Sequence, residues 1–169
     1  MTMTKTKTID LTRIRTAMTL LFIGANIGLP HLFHMIPGGG IMFLPIYFFT
    51  AVATVLYGRN MGVLTAMMSP LMGYLIFGAP RLFMLPDMML KGVLLSVAVA
   101  FLLTKSRNIS QRYLAIPVGV LSAWIMAGIM ELPFRGFDFS FQDFFTGIPG
   151  LCLMTIGGWI ALFINRRIA

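Results

Sequence analysis

Charge is scarce in this chain, and most of it has one sign. Asp, Glu, Lys and Arg make up 11% of the 169 residues, against 58% hydrophobic. A soluble domain needs roughly a quarter of its residues charged to cover its surface, so a water-soluble globule is excluded. Acids are the scarcest: 5 Asp and Glu stand against 13 Lys and Arg, for a net charge of +8. The basic residues sit in small clusters between apolar runs, which is a membrane pattern rather than a nucleic-acid patch, and no nucleic-acid partner is expected. Cysteine is nearly absent. The lone Cys152 cannot form an internal disulfide, and inside an apolar run it reads as a small packing residue. There is no G-x-x-x-x-G-K-[ST] loop, no H-E-x-x-H and no G-x-S-x-G. The chain therefore carries no ATP-binding loop, zinc-peptidase pair or nucleophile elbow of its own.

What it has is apolar length. A helix needs about 20 apolar residues to cross a bilayer, and six segments qualify: residues 15–35, 41–57, 61–77, 82–103, 113–130 and 144–164. The expectation is an all-α, polytopic membrane protein: a six-helix transmembrane bundle over residues 15–165, preceded by a polar tail, 1–14, with no cleaved signal peptide. Spans two and three are short and joined by the tight "LYGRNMG", so they should lie close together.

The charges give the orientation. Lys5, Lys7, Arg13, Arg15, Arg59, Lys105, Arg107, Arg112, Arg166 and Arg167 fall on one side, opposed by Asp10 alone. The other side holds Arg81, Arg135, Asp87, Glu131, Asp138 and Asp143, and Lys91 lies within span four. The positive-inside rule makes the first side cytoplasmic, and an even number of spans puts both termini there. The expected location is the cytoplasmic (inner) membrane, multi-pass. The outward loops, "IPGGG", "FGAPRLFMLPD" and "ELPFRGFDFSFQD", carry the prolines, glycines, aromatics and paired charges from which a polar site could be built.

One stretch is informative beyond hydropathy: "FLPIYFFTAVATVLYGRNMGVLTAMMSPLMGYLIFGAP". An apolar span ends in Tyr-Gly, and a short basic turn leads to Gly62. Small residues at Ala66 and Ser69-Pro70 follow, and then Gly78. The pattern resembles the second and third spans of the substrate-binding S components of energy-coupling factor (ECF) vitamin transporters, and the six spans and inside termini agree. The resemblance implies a binding subunit that captures a vitamin or precursor at the outer face. Its partners would be a transmembrane T component and two cytoplasmic ATPases. ATP would be used by those ATPases, with no cofactor bound by this chain. The Ala-x-x-x-Ala docking patch often found on the family's first span is absent, because Ala17 is followed four residues later by Leu21. Two other small stripes could dock a partner or pack the bundle: Gly24 with Gly28 on span one, and Gly62 with Ala66 on span three. Small residues four apart let helices approach closely in lipid.

Intramembrane polar groups are the candidate ligand residues, since burying a lone charge in lipid is costly. Asp87 and Lys91 stand four apart and can pair on one helix face; facing a ligand, Lys91 would meet a carboxylate or phosphate. Glu131 closes span five beside Pro133, where it could pair with Arg81 or Arg135 or meet a cationic ring. Trp124, seven residues earlier, falls near the same face. Asn26 needs a hydrogen-bond partner inside span one and should brace the bundle or reach the pocket floor. The "FRGFDFSFQDFF" run alternates from Phe137 to Phe141, which reads as a short extended or interfacial stretch, either a lid or an aromatic belt. In "HLFHMIPGGG", His31 and His34 have no nearby carboxylate, so no metal site is expected. The glycines read as a hinge, with His34 a possible ligand contact. The competing readings are a self-contained small transporter or channel, and an intramembrane enzyme. The second is weakened by the lack of any nucleophile–base pair, so no enzymatic activity is expected.

Overall fold

The structure, a computed structural model, describes residues 2–168 and the side chains of residues 13–165. It is all-α: α1 (Thr2–Phe33), α2 (Gly39–Phe43), α3 (Phe48–Tyr57), α4 (Arg59–Phe77), α5 (Leu85–Lys105), α6 (Ile109–Arg135), α7 (Phe137–Thr146) and α8 (Ile148–Ile168), with short 3-10 turns at Pro45–Tyr47 and Leu82–Met84. Among the described residues, six stretches are long and apolar enough to cross a membrane: Arg13–Phe33, Gly39–Tyr57, Arg59–Phe77, Leu82–Lys105, Ile109–Arg135 and Ile148–Asn165. The chain is a multi-pass membrane protein built as a six-helix bundle. Arg15 and Arg59 line one shared surface hollow, as expected if α1 enters the membrane where α3 turns into α4. The side chains of Lys5, Lys7, Asp10, Arg166 and Arg167 lie outside the described residues. The segment expected as a tail, 1–14, is helical from Thr2 and continuous with the first span.

Close helix approach holds the bundle, as it must in lipid, where burying apolar surface gives no advantage between helices. A Cβ on Gly119 would stand 2.8 Å from Val99, and one on Gly158 2.6 Å from the Ile116 side chain. Around these contacts Leu95, Val99, Ile116, Val120, Ala123 and Met154 form a fully covered core. Buried hydroxyls are satisfied within their own helices: Thr54 donates to the Thr50 carbonyl, Thr65 to that of Met61 and Ser96 to that of Gly92. Trp159, partly exposed, donates to the Tyr113 carbonyl at 2.8 Å, anchoring α8 to α6. Cys152 is exposed on α8 rather than packed inside.

Two elements depart from the sequence reading. The first is "FDFSFQDFF", expected as an extended stretch and found as the helix α7. Alternating phenylalanines mimic a strand period, but Phe137 and Phe141 also stand four apart, and their rings meet at 5.0 Å on one helical face. Phe141 then packs where Gly128 of α6 leaves room. The second is span two, which is broken. Leu44 takes a left-handed conformation (φ 46°) between α2 and the 3-10 turn, an unfavourable state for a branched side chain. Its side chain is buried against Gly147 and Gly150 at the start of α8. The proline that follows, Pro45, has no N–H to lose at this break.

Candidate functional site

Two polar regions occupy the end of the bundle that the basic-residue bias assigns to the outside, and the sequence-derived candidates divide between them. The first is a cavity of about 700 Å³, within the usual range for small-molecule sites. It is walled by α1, the broken span, α4, the Leu82–Met84 turn and the start of α5, and it takes in Asn26, His34 and Arg81. His31, Ser69, Met84 and Met88 also line it. Asn26 lies on α1 and His34 just past its end, eight residues on, so floor and mouth are separated by about 12 Å.

The floor is built by the break in span two. A helix start leaves N–H groups without partners, and in lipid each must be met by protein. Asn26 is completely buried and supplies one such partner. Its Oδ1 accepts from the Phe49 N–H at 3.0 Å, while its Nδ2 donates to Thr50 Oγ1 at 3.0 Å and Ser69 Oγ at 3.2 Å. One side chain thus ties α1 to α3 and α4 at mid-membrane depth. The bracing expected of Asn26 and its place in the cavity floor are both present.

At the mouth, the "GGG" turn is tighter than a free hinge. Gly38 adopts φ 73°, a left-handed conformation that glycine takes without steric cost. A Cβ on Gly39 would meet the Phe33 carbonyl, and one on Gly40 would stand 3.0 Å from the His34 imidazole. His31 turns instead to the Phe77 ring, edge-on at 4.8 Å. The two histidines therefore have different neighbours. Among the described residues, no three His, Cys, Asp or Glu side chains are gathered as they would be around a metal ion.

The second region is a buried ionic clasp joining α5, α6 and α7. Lys91 Nζ lies 2.9 Å from Asp87 Oδ1, 2.8 Å from Asp143 Oδ2 and 3.5 Å from Glu131 Oε1. Arg135 approaches Asp87 Oδ2 at 3.5 Å and lies over the Phe139 ring at 4.8 Å. The Asp87–Lys91 pair expected from spacing is present, whereas Glu131 meets Lys91 rather than Arg81 or Arg135. Two cations here face three carboxylates. Both Glu131 oxygens lack a hydrogen-bond donor. The Trp124 indole N–H also lacks a partner; the residue is 2% exposed and meets Tyr47 edge-on at 5.2 Å. Asp143, which donates nothing to any local sequence pattern, is the member that sequence reasoning missed. It sits 52 residues from Lys91, and the only signal was its place in an amphipathic aromatic run.

The two small-residue stripes also separate. Gly62 and Ala66 face inward: a Cβ on Gly62 would collide with Thr54 and come within 2.8 Å of Ser96 Oγ, and Ala66 packs on Gly92. That surface is taken by the bundle itself, because the small residues are what let α3, α4 and α5 touch. Ala17, Gly24 and Gly28 are exposed on α1, with nothing within 4 Å of a Cβ built on either glycine.

Comparison with protein-family models, with curated proteins and with solved structures returns no match.

Proposed function

We propose that this chain is a membrane-embedded binding subunit, of the S-component kind, that captures a vitamin or related micronutrient at the outer face of the cytoplasmic membrane for uptake. One observation carries the reading: the broken stretch of span two lines the cavity, through Gly40, Ile41, Pro45 and Ile46. Irregular backbone at membrane depth is tolerated where it borders a cavity or is buried in protein, and broken spans build the substrate sites of many transporters. In this reading Asn26, His34 and Arg81 belong to the ligand site. Asp87, Lys91, Glu131 and Arg135 stand behind it, holding α7 at the outer ends of α5 and α6, and Trp124 packs on Tyr47. The exposed face of Ala17, Gly24 and Gly28 is the surface offered to a transmembrane T component, which would couple the chain to two ATPases.

Native mass spectrometry of the gently purified protein tests this. A small organic molecule that co-purifies at one per chain, and is lost when Ile46→Trp fills the cavity, is the expected result. A preparation with nothing bound, and no thermal shift across a panel of vitamins and precursors, would overturn it. Uptake by the chain alone, without partner ATPases, would favour a self-contained transporter.

A further inference from the structure

The lining of the cavity is one-sided in charge. Its one formally charged side chain is Arg81, beside the imidazoles of His31 and His34, and it includes no Asp or Glu. Arg81 is exposed and takes part in none of the ion pairs found among the described residues. Asp87, Glu131 and Asp143 are drawn to Lys91 and Arg135 instead. The depth of the cavity is different in kind. Both amide hydrogens of Asn26 are used, and the Ser69 hydroxyl donates to the Thr65 carbonyl at 2.7 Å. The floor thus has no side-chain donor left for a ligand. The remaining walls are apolar, among them Ile27, Ile46, Phe77, Phe83, Met84 and Met88. Methionines reshape readily around an apolar guest.

We infer that the cavity takes an amphiphilic organic acid, with its apolar body against the methionine and isoleucine walls and a single carboxylate or phosphate head at Arg81 and His34. An anion at the floor would lie buried without donors, which is costly. At the mouth it gains charge-assisted hydrogen bonds from a guanidinium. A cationic head would meet only like charge. The inference rests on the binding-subunit reading and narrows it to one ligand class. Such an acid could arrive from water or from the outer leaflet.

The test uses the full chain in phosphatidylcholine nanodiscs with three fluorescent probes: dansyl-labelled octanoate, the matched primary amide and the matched amine. Saturable binding of the carboxylate is expected, at least about tenfold tighter than the amide, with Arg81→Gln closing that gap. Arg81 is exposed, so its replacement leaves the fold intact, and His34→Gln serves as a second variant with a smaller effect in the same direction. Competition with water-soluble phenylbutyrate and with palmitate distinguishes the sources: displacement by the first marks an aqueous acid, and by palmitate alone a membrane-derived one. Equal or tighter binding of the amine or amide, or a carboxylate affinity unmoved by Arg81→Gln, overturns the acid assignment and leaves the binding subunit standing. Failure of all three probes to bind overturns the acid assignment, and the ligand panel above then decides the wider reading.

Discussion

The two polar regions at the acidic end handle buried polarity in opposite ways. In the clasp, polar groups face each other: Lys91, itself buried, gathers three carboxylates within 3.5 Å. In the cavity, polar groups are spent at the floor and left free at the mouth, and the walls between are apolar. The clasp has charges without room, and the cavity has room with few charges. Intramembrane charge is commonly read as the mark of a functional site. Here most of it joins helices to one another, and the ligand-sized space lies beside it, across the broken span.

Lys91→Met is the sharpest way to break this contrast. It keeps most of the stem but leaves Asp87, Glu131 and Asp143 facing one another without their central cation. Removing one partner of a buried pair costs about 3–5 kcal/mol, so the yield of monodisperse protein should fall sharply and its melting temperature with it. A variant that melts with the wild type would mean that the cluster is not a clasp and is available to a ligand. Asn26→Ala should come next, at about 1–3 kcal/mol, because it strands the Phe49 N–H and unties three helices. Thermal melting in detergent checks it, and hydrogen exchange at the start of α3 should rise in step.

Gly62→Ala against Gly24→Ala compares the two small stripes. The first drives a methyl group into Thr54 and Ser96 and should cost about 1–3 kcal/mol. The second adds a methyl group where nothing stands and should leave the melting temperature unchanged. Equal losses would mean that α1 is packed against something on its exposed face even in the purified protein. Within the clasp, the smallest effect belongs to Glu131→Gln. With three carboxylates on two cations, replacing the one whose oxygens have no donor should change stability by less than about 1 kcal/mol. Asp143→Asn, which weakens the 2.8 Å contact to Lys91, should lower the melting temperature measurably.

Hydropathy alone located all six spans within a few residues, because the bilayer imposes one length on every helix and excludes charge from most of it. The Asp87–Lys91 pair was legible for a local reason, since four residues bring two side chains to one helix face. Asp143 was not, because its partnership with Lys91 depends on how α7 folds back against α6. The helical state of α7 was hidden by phenylalanines that satisfy a period of two and a spacing of four at once. The break at Leu44 was also hidden. Pro45 signals a possible interruption, but the left-handed residue before it is held by packing against Gly147 and Gly150, far along the chain.

Composition was enough to set the solvent and the number of spans, because each depends on sums over local stretches of chain: apolar length, and the scarcity of charge within it. The cavity, the clasp and the inward or outward facing of each glycine stripe came from assembly. They depend on which helix stands beside which, and in lipid that is decided by close packing and by the need to satisfy every buried polar group. Asn26 shows the difference. Its residue type announced a hydrogen bond inside span one, and the fold chose the partners, the freed N–H at the start of α3 and the hydroxyls of Thr50 and Ser69.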